Sequence, residues 1–105
     1  MTAGRDPVAV AALQYCAAGT AEETLRTLMP LIDRAADDGA QLVCLPEAAT
    51  FLAASRAALA DEAEPAGESP VLDRLCNAAA RRGIELSIGS MFFLGPDGRH
   101  VNRHL

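Results

Sequence analysis

A carboxylate directly after a Leu-Pro step, Leu45-Pro46-Glu47, is the group in this chain best placed to do chemistry. It follows the run Gln41-Leu42-Val43-Cys44-Leu45, whose consecutive apolar residues read as a strand buried on both faces. Gly39 closes the helical pattern before that run, and Pro46 has no amide hydrogen to give a sheet ladder, so the strand stops there. Glu47 is thereby set at the carboxyl end of an interior strand, the place where open α/β sheets bind ligands. Held there against apolar neighbours, a carboxylate gains proton affinity, which suits a general base. The same spacing admits two plainer roles: a cap on the following helix, or a partner for an arginine.

The other chemistry-bearing residues are less well placed. Cys16, Cys44 and Cys76 are widely spaced, with no Cys-x-x-Cys. An odd count, behind an N-terminus (Met1 to Pro7) without a charged-then-apolar leader, fits free thiols in a reducing cytoplasm. Cys44 lies inside the strand and Cys76 on or beside the buried stripe of a helix, so both read as small core residues. Cys16, just past the first strand, is near a strand end, but nothing sets a base against it. His100 and His104 are four apart in a segment that reads as a strand; there they share a face but are too far separated to grip one ion, and no metal is expected. The acidic cluster Asp61, Glu62, Glu64 and Glu68 reads as a solvated loop. All nine basic side chains are arginine, and the net charge is -5. With no basic patch to neutralise phosphates, nucleic-acid and anionic-membrane binding are disfavoured. No apolar run approaches membrane-spanning length.

Positioning Glu47 falls to a short series of elements. At 105 residues the chain holds one domain at most, and its hydrophobic content of 50% asks for more burial than so small a domain encloses easily. Only 4% of residues are aromatic, so Ala, Leu and Val must let helices pack closely on a sheet. Val8 to Gln14 reads as a first buried strand. Thr20-Ala21-Glu22-Glu23 fits a capping box, opening a helix with the apolar stripe Leu25, Leu28, Met29, Ile32, Ala35 and Ala36. Pro30 falls on its polar face, where a bend follows the curvature of a surface helix. Strand, helix and strand make a βαβ unit with parallel strands. Ala48 to Ala63 reads as helical without a clean face, and Glu62 to Glu68 as a polar loop. Ser69 caps a third helix with Pro70 at its first position, buried stripe Val71, Leu72, Leu75, Ala78 and Ala79, and Gly83 at its end. Ile84 to Ser90 is the third strand, extended through Met91 to Leu94. Gly95-Pro96-Asp97-Gly98 is a turn, and Arg99 to Leu105 returns antiparallel to that strand. The fold class is α/β, with about four strands and three helices.

In this order the pieces resemble the amino-terminal part of the nitrilase (carbon–nitrogen hydrolase) superfamily. The resemblance rests on Val8-Ala9-Val10-Ala11-Ala12-Leu13-Gln14 and on Gly39 through Glu47. It continues through Glu64-Pro65, the Ser69-Pro70 helix, Gly83 through Ser90, Asp97-Gly98-Arg99 and Val101-Asn102-Arg103. Glu47-Ala48-Ala49-Thr50-Phe51-Leu52 and Asn102-Arg103 look most like bacterial relatives of deaminated-glutathione amidase and ω-amidase. The resemblance implies a four-layer α-β-β-α sandwich, present here only in part. It implies homodimers or higher oligomers across a helical face, and hydrolysis of nonpeptide carbon–nitrogen bonds in small amides, nitriles or carbamyl compounds. It also implies a Glu-Lys-Cys triad that needs no metal or organic cofactor: base, oxyanion-stabilising lysine and thioester-forming cysteine. Glu47 matches the base. The lysine and the nucleophilic cysteine fall beyond residue 105 in the family pattern.

This chain contains no lysine, and none of its three cysteines matches the nucleophile. The expectation is a partial hydrolase domain over residues 1–105, starting near residue 7 and truncated at its C-terminal end. Such a chain is inactive by itself, because members of a catalytic unit act non-additively. The alternative is a non-catalytic α/β module that binds a partner through an exposed sheet face or edge. A flavodoxin-like phosphate-handling domain fits less well, since no glycine-rich loop follows any strand.

Overall fold

The computed structural model describes residues 6–105, and its first strand, β1 (Val10–Ala12), lies inside the Val8 to Gln14 run. Helix α1 (Ala21–Asp37) starts where Thr20 caps it, the Thr20 hydroxyl accepting from the Glu23 amide at 3.3 Å. Leu25, Leu28, Ile32 and Ala35 form its buried stripe, while Pro30 stays exposed on the outer face. Strand β2 (Leu42–Cys44) follows and pairs parallel with β1, Val10 opposite Leu42 and Ala12 opposite Cys44. The expected βαβ unit is therefore present. No helix of the described residues is long and apolar enough to cross a membrane.

The chain after Glu47 departs from expectation. Only α2 (Arg56–Glu62), capped by Ser55, is helical in the Ala48 to Ala63 stretch. Residues 48 to 52 spend their amides elsewhere: Ala48 and Ala49 donate to Ser90, and Leu52 donates to the Ala18 carbonyl at 2.9 Å. Ala48 also has φ +48°, which no helix tolerates. The start of the stretch packs as irregular chain, with Ala49, Thr50 and Phe51 buried.

The polar loop also contains a short strand, β3 (Glu64–Pro65), ahead of α3 (Pro70–Arg82). Helix α3 is bounded as expected: Ser69 caps it, Pro70 opens it, and Gly83 closes it at φ +65° with its amide on the Ala79 and Ala80 carbonyls. Two members of the acidic cluster are not solvated but act as caps. Glu62 accepts from the Ala21 amide at the start of α1, and Glu64 accepts from the Ser69 hydroxyl and the Val71 amide at the start of α3. Unpaired helix amides attract a carboxylate, and a cluster between two helix starts supplies both. Asp61 and Glu68 are exposed, as expected.

The expected third strand is two strands. β4 (Glu85–Ser87) joins the first sheet beside β2, and β5 (Met91–Leu94) belongs to a second sheet. The break is at Gly89, where a Cβ would sit 2.5 Å from the Leu45 carbonyl oxygen and from the Pro46 carbonyl. Only glycine lets the two backbones cross so closely. β6 (His100–Arg103) returns antiparallel to β5 through the turn at Gly95 to Gly98, in which Gly98 has φ +81°.

The three helices expected are present, and the strands number six in two sheets, ordered β1-β2-β4 and β3-β5-β6. β4 pairs parallel with β2, and β3 parallel with β5. One core joins α1 and α3 to both sheets, through Leu25, Leu28, Ile32, Val43, Leu75, Ile84, Ile88, Met91 and Phe93. By alternation, Ala11, Val43 and Leu86 face the helices, and Val10, Ala12, Leu42, Cys44 and Ser87 face the other way. That second face is thinly covered. Val10 is 57% exposed, so the first strand is an edge strand rather than a buried one.

Candidate active site

β2 is the central strand of its sheet, and its ladder runs one residue past its end: the Leu45 amide donates to the Ser87 carbonyl at 2.8 Å. Gly89 closes on the same residue, donating to the Leu45 carbonyl at 3.1 Å. Pro46 then turns the chain out of the sheet, and Glu47 is the next residue. The sequence placed Glu47 at the carboxyl end of an interior parallel strand, and it is there.

The backbone on which Glu47 sits is held from both sides. Ser90, between β4 and β5, accepts from the Ala48 amide with its hydroxyl at 2.9 Å and from the Ala49 amide with its carbonyl, also at 2.9 Å. Tyr15, just past β1, donates its hydroxyl to the Ala49 carbonyl at 2.7 Å. Burial pushes the Tyr15 phenol up to about 12, because removing it from water disfavours the phenolate. Ala48, between these bonds, keeps its left-handed φ. Sequence reasoning did not find Tyr15, Ser90, Gly89 or Ala48. The available signal was the Gly89-Ser90 pair shortly after β4, the strand parallel to the one carrying Glu47.

The Glu47 side chain itself is exposed. The apolar enclosure expected around it is not supplied by the described residues: Leu45 and Ala49, two positions to either side, are buried, but the Glu47 side chain stays outside them. Of the plainer roles, helix capping fails because α2 starts nine residues further on and is capped by Ser55. Glu47 joins none of the ion pairs among the described residues, which connect Arg74 to Glu22, Arg82 to Asp37 and Arg99 to Asp97.

The cysteines are not gathered around Glu47. Cys16 is exposed beyond β1, and Cys44 is half-buried on the sheet face opposite Val43. Cys76, expected in the core, is exposed. It falls just outside the stripe of α3 that meets the core and lines an apolar hollow of about 350 Å³ with Leu72, Ala79, Leu86, Ile88 and Leu105. Of the two histidines, His104 places Nε2 3.0 Å from the Ser87 hydroxyl oxygen, and His100 pairs with Leu94 in the β5–β6 hairpin. Among the described residues no group of three or more His, Cys, Asp or Glu is arranged to hold a metal ion.

Chemically, the site offers one accessible carboxylate on a rigidly held turn at the mouth of a parallel sheet. It can accept a proton, and among the described residues no ion pair or side-chain hydrogen bond engages it.

The fold has counterparts among solved structures. The Caenorhabditis elegans NitFhit protein superposes with a TM-score of 0.76 at 21% identity, over 90% of this chain and 24% of that one. Saccharomyces cerevisiae Nit3, a member of branch 10 of the nitrilase superfamily, superposes with a TM-score of 0.73 at 21% identity, over 92% of this chain and 38% of that one. The chain thus spans well under half the length of each of these two structures. At these identities the likeness speaks for the fold. The sequence is matched over residues 8–104 by the model of the carbon-nitrogen hydrolase family, and on that match the chain belongs to this family.

Proposed function

We propose that this chain is the amino-terminal part of an amidase-type carbon–nitrogen hydrolase, with Glu47 as its general base. The observation that carries the reading is the placement of Glu47 where the central strand β2 leaves the sheet, between two parallel neighbours. The intact enzyme would take a small-molecule amide and resemble deaminated-glutathione amidase or ω-amidase in substrate class. It would work in the cytoplasm as a homodimer or higher homo-oligomer. The Glu47 carboxylate would accept the proton of a cysteine thiol supplied by the remainder of the protein, and the thiolate would attack the amide carbon. A lysine, also from that remainder, would stabilise the tetrahedral oxyanion. Collapse of the intermediate would break the carbon–nitrogen bond, with the proton held by Glu47 passing to the departing ammonia and a thioester left behind. Glu47 would then take a proton from water, whose oxygen attacks the thioester; the carbon–sulfur bond breaks, the carboxylic acid leaves, and the proton on Glu47 returns to the thiolate.

The 105-residue chain by itself is expected to release no ammonia from small amides, and turnover abolished by Glu47→Gln would overturn that expectation. In the intact enzyme Glu47→Gln is expected to lower kcat by roughly 10²–10⁴-fold, the usual range for a positioned acid–base group. A kcat within twofold of the parent would remove Glu47 from the mechanism.

A second reading is favoured by the exposed side chains Val8, just before the strand at the sheet's edge, and Val10, on it, at 63% and 57% exposure. They suit a non-catalytic module that binds a partner through this sheet. An intact protein with no amide turnover and a partner lost on Val10→Lys would support that reading over the first.

A further inference from the structure

An exposed glutamate on a loop has many rotamers, so a base at this position depends on how firmly its backbone is held. The backbone after Pro46 is held in an unusual way. Ala48 adopts φ +48°, a region that a residue with a Cβ enters only when its surroundings over-determine it. Those surroundings are three hydrogen bonds to two consecutive residues. Ser90, 5% exposed, takes the amides of Ala48 and Ala49, one with its side chain and one with its main chain. Tyr15 takes the carbonyl of Ala49. Tyr15 follows β1, and Ser90 lies in the crossing from β4 to β5, so the two come from the chain beyond the two strands on either side of β2. The grip thus comes from both flanks of the strand that carries Glu47.

We propose that Ser90 and Tyr15 are positioning residues for the Glu47 carboxylate, clamping the Glu47–Ala49 turn from the segments that follow the two strands flanking β2. The assignment rests on Glu47 being the general base. Ser90 is the stronger half of the clamp, because its hydroxyl is the acceptor for the one residue with the strained φ. Tyr15 fixes the far end of the same turn. Gly89 permits the arrangement, since its missing Cβ lets the backbone leading into Ser90 cross closely over Leu45 and Pro46. Neither hydroxyl needs to touch a substrate for this role. What they govern is how often the carboxylate occupies one place.

Amide hydrogen exchange and the amide–Hα coupling of Ala48, followed by NMR on the 105-residue chain, test the clamp without any activity. In Ser90→Ala the Ala48 amide is expected to exchange at least tenfold faster and to lose the coupling of a positive φ. The amides of Val43 in β2 and Ile32 in α1 should change less than twofold. Ser90→Thr, which keeps the hydroxyl, restores both Ala48 signals, and Tyr15→Phe gives a smaller acceleration at Ala48. An Ala48 amide that stays protected in Ser90→Ala and Tyr15→Phe overturns the proposal, as does equal acceleration in Ser90→Ala and Ser90→Thr. In the intact enzyme Ser90→Ala should lower kcat at least tenfold with KM within twofold, and Ser90→Thr should recover it. A freed turn with kcat unchanged also overturns the positioning role. Failure of Glu47 as the base would show instead as activity indifferent to Glu47→Gln, with the Ala48 signals of every variant as stated.

Discussion

Tyr15 is the only tyrosine in the chain, so its titration can be read from absorbance without assignment. Half-burial favours the neutral phenol, and the folded protein is expected to ionise near pH 12, against about 10 for the unfolded chain. Since the folded form keeps the proton longer, this contribution to stability is complete below pH 10. It is lost as the pH rises through about 12. A spectrophotometric titration with its midpoint at 10 under folding conditions would mean that the Tyr15 hydroxyl is not packed beside Ala49. Ala48 offers a second test. Replacing it with glycine removes the Cβ that makes φ +48° costly, and the gain outweighs the added freedom of the unfolded chain. Ala48→Gly is expected to stabilise by about 0.5–1 kcal/mol in urea denaturation. Gly89→Ala should act in the opposite sense, by roughly 2–3 kcal/mol or more, because the added methyl meets backbone atoms of Leu45 and Pro46 that cannot rotate away.

The elements differ in how plainly the sequence announced them, and the difference is one of range. Thr20, Ser69, Pro70 and Gly83 act on amides and carbonyls within a few residues, so the ends of α1 and α3 could be read before any fold was known. Pro46 ends β2 by a local rule too, which is why the position of Glu47 was legible. The stretch after Glu47 was not, because an alanine-rich segment favours helix locally while Ser90, some forty residues away, takes its amides. The division of Ile84 to Leu94 between two sheets has the same origin, a steric crossing at Gly89 that only the assembled backbone shows. Glu64 joins the two kinds. It looked like part of a solvated cluster, yet it accepts from the Ser69 hydroxyl at 2.9 Å and from the Val71 amide at 3.3 Å. Ser69→Ala removes the acceptor for Leu72 and one donor to Glu64 in a buried position. It is therefore expected to cost about 1–2 kcal/mol in chemical denaturation. Ser69→Thr should recover most of this, and a loss below about 0.3 kcal/mol would show that α3 does not depend on its cap.

The whole molecule is more open than its length requires. A compact domain of this size has a radius of gyration near 13 Å, whereas this one measures 15.1 Å and extends 52 × 26 × 22 Å. The helices cover one face of the β1-β2-β4 sheet, and the opposite face shows Val10 and Ala12 to solvent at an unpaired edge. An exposed apolar edge strand is a template for another chain, and a hydrophobic content of 50% raises the drive to use it. Sedimentation velocity across a wide concentration range is expected to show reversible self-association. Val10→Lys should weaken it, because a lysine on this strand places an ammonium on both the open face and the edge. The same substitution should leave the stability of the folded unit within about 0.5 kcal/mol, since Val10 is 57% exposed and contributes little to the core. Association that survives Val10→Lys would move the contact to the hollow lined by Leu72, Cys76, Leu86 and Leu105, where Leu86→Lys would be the discriminating change. A monomer at every concentration would mean that the uncovered face alone does not draw copies together, despite the apolar side chains it shows.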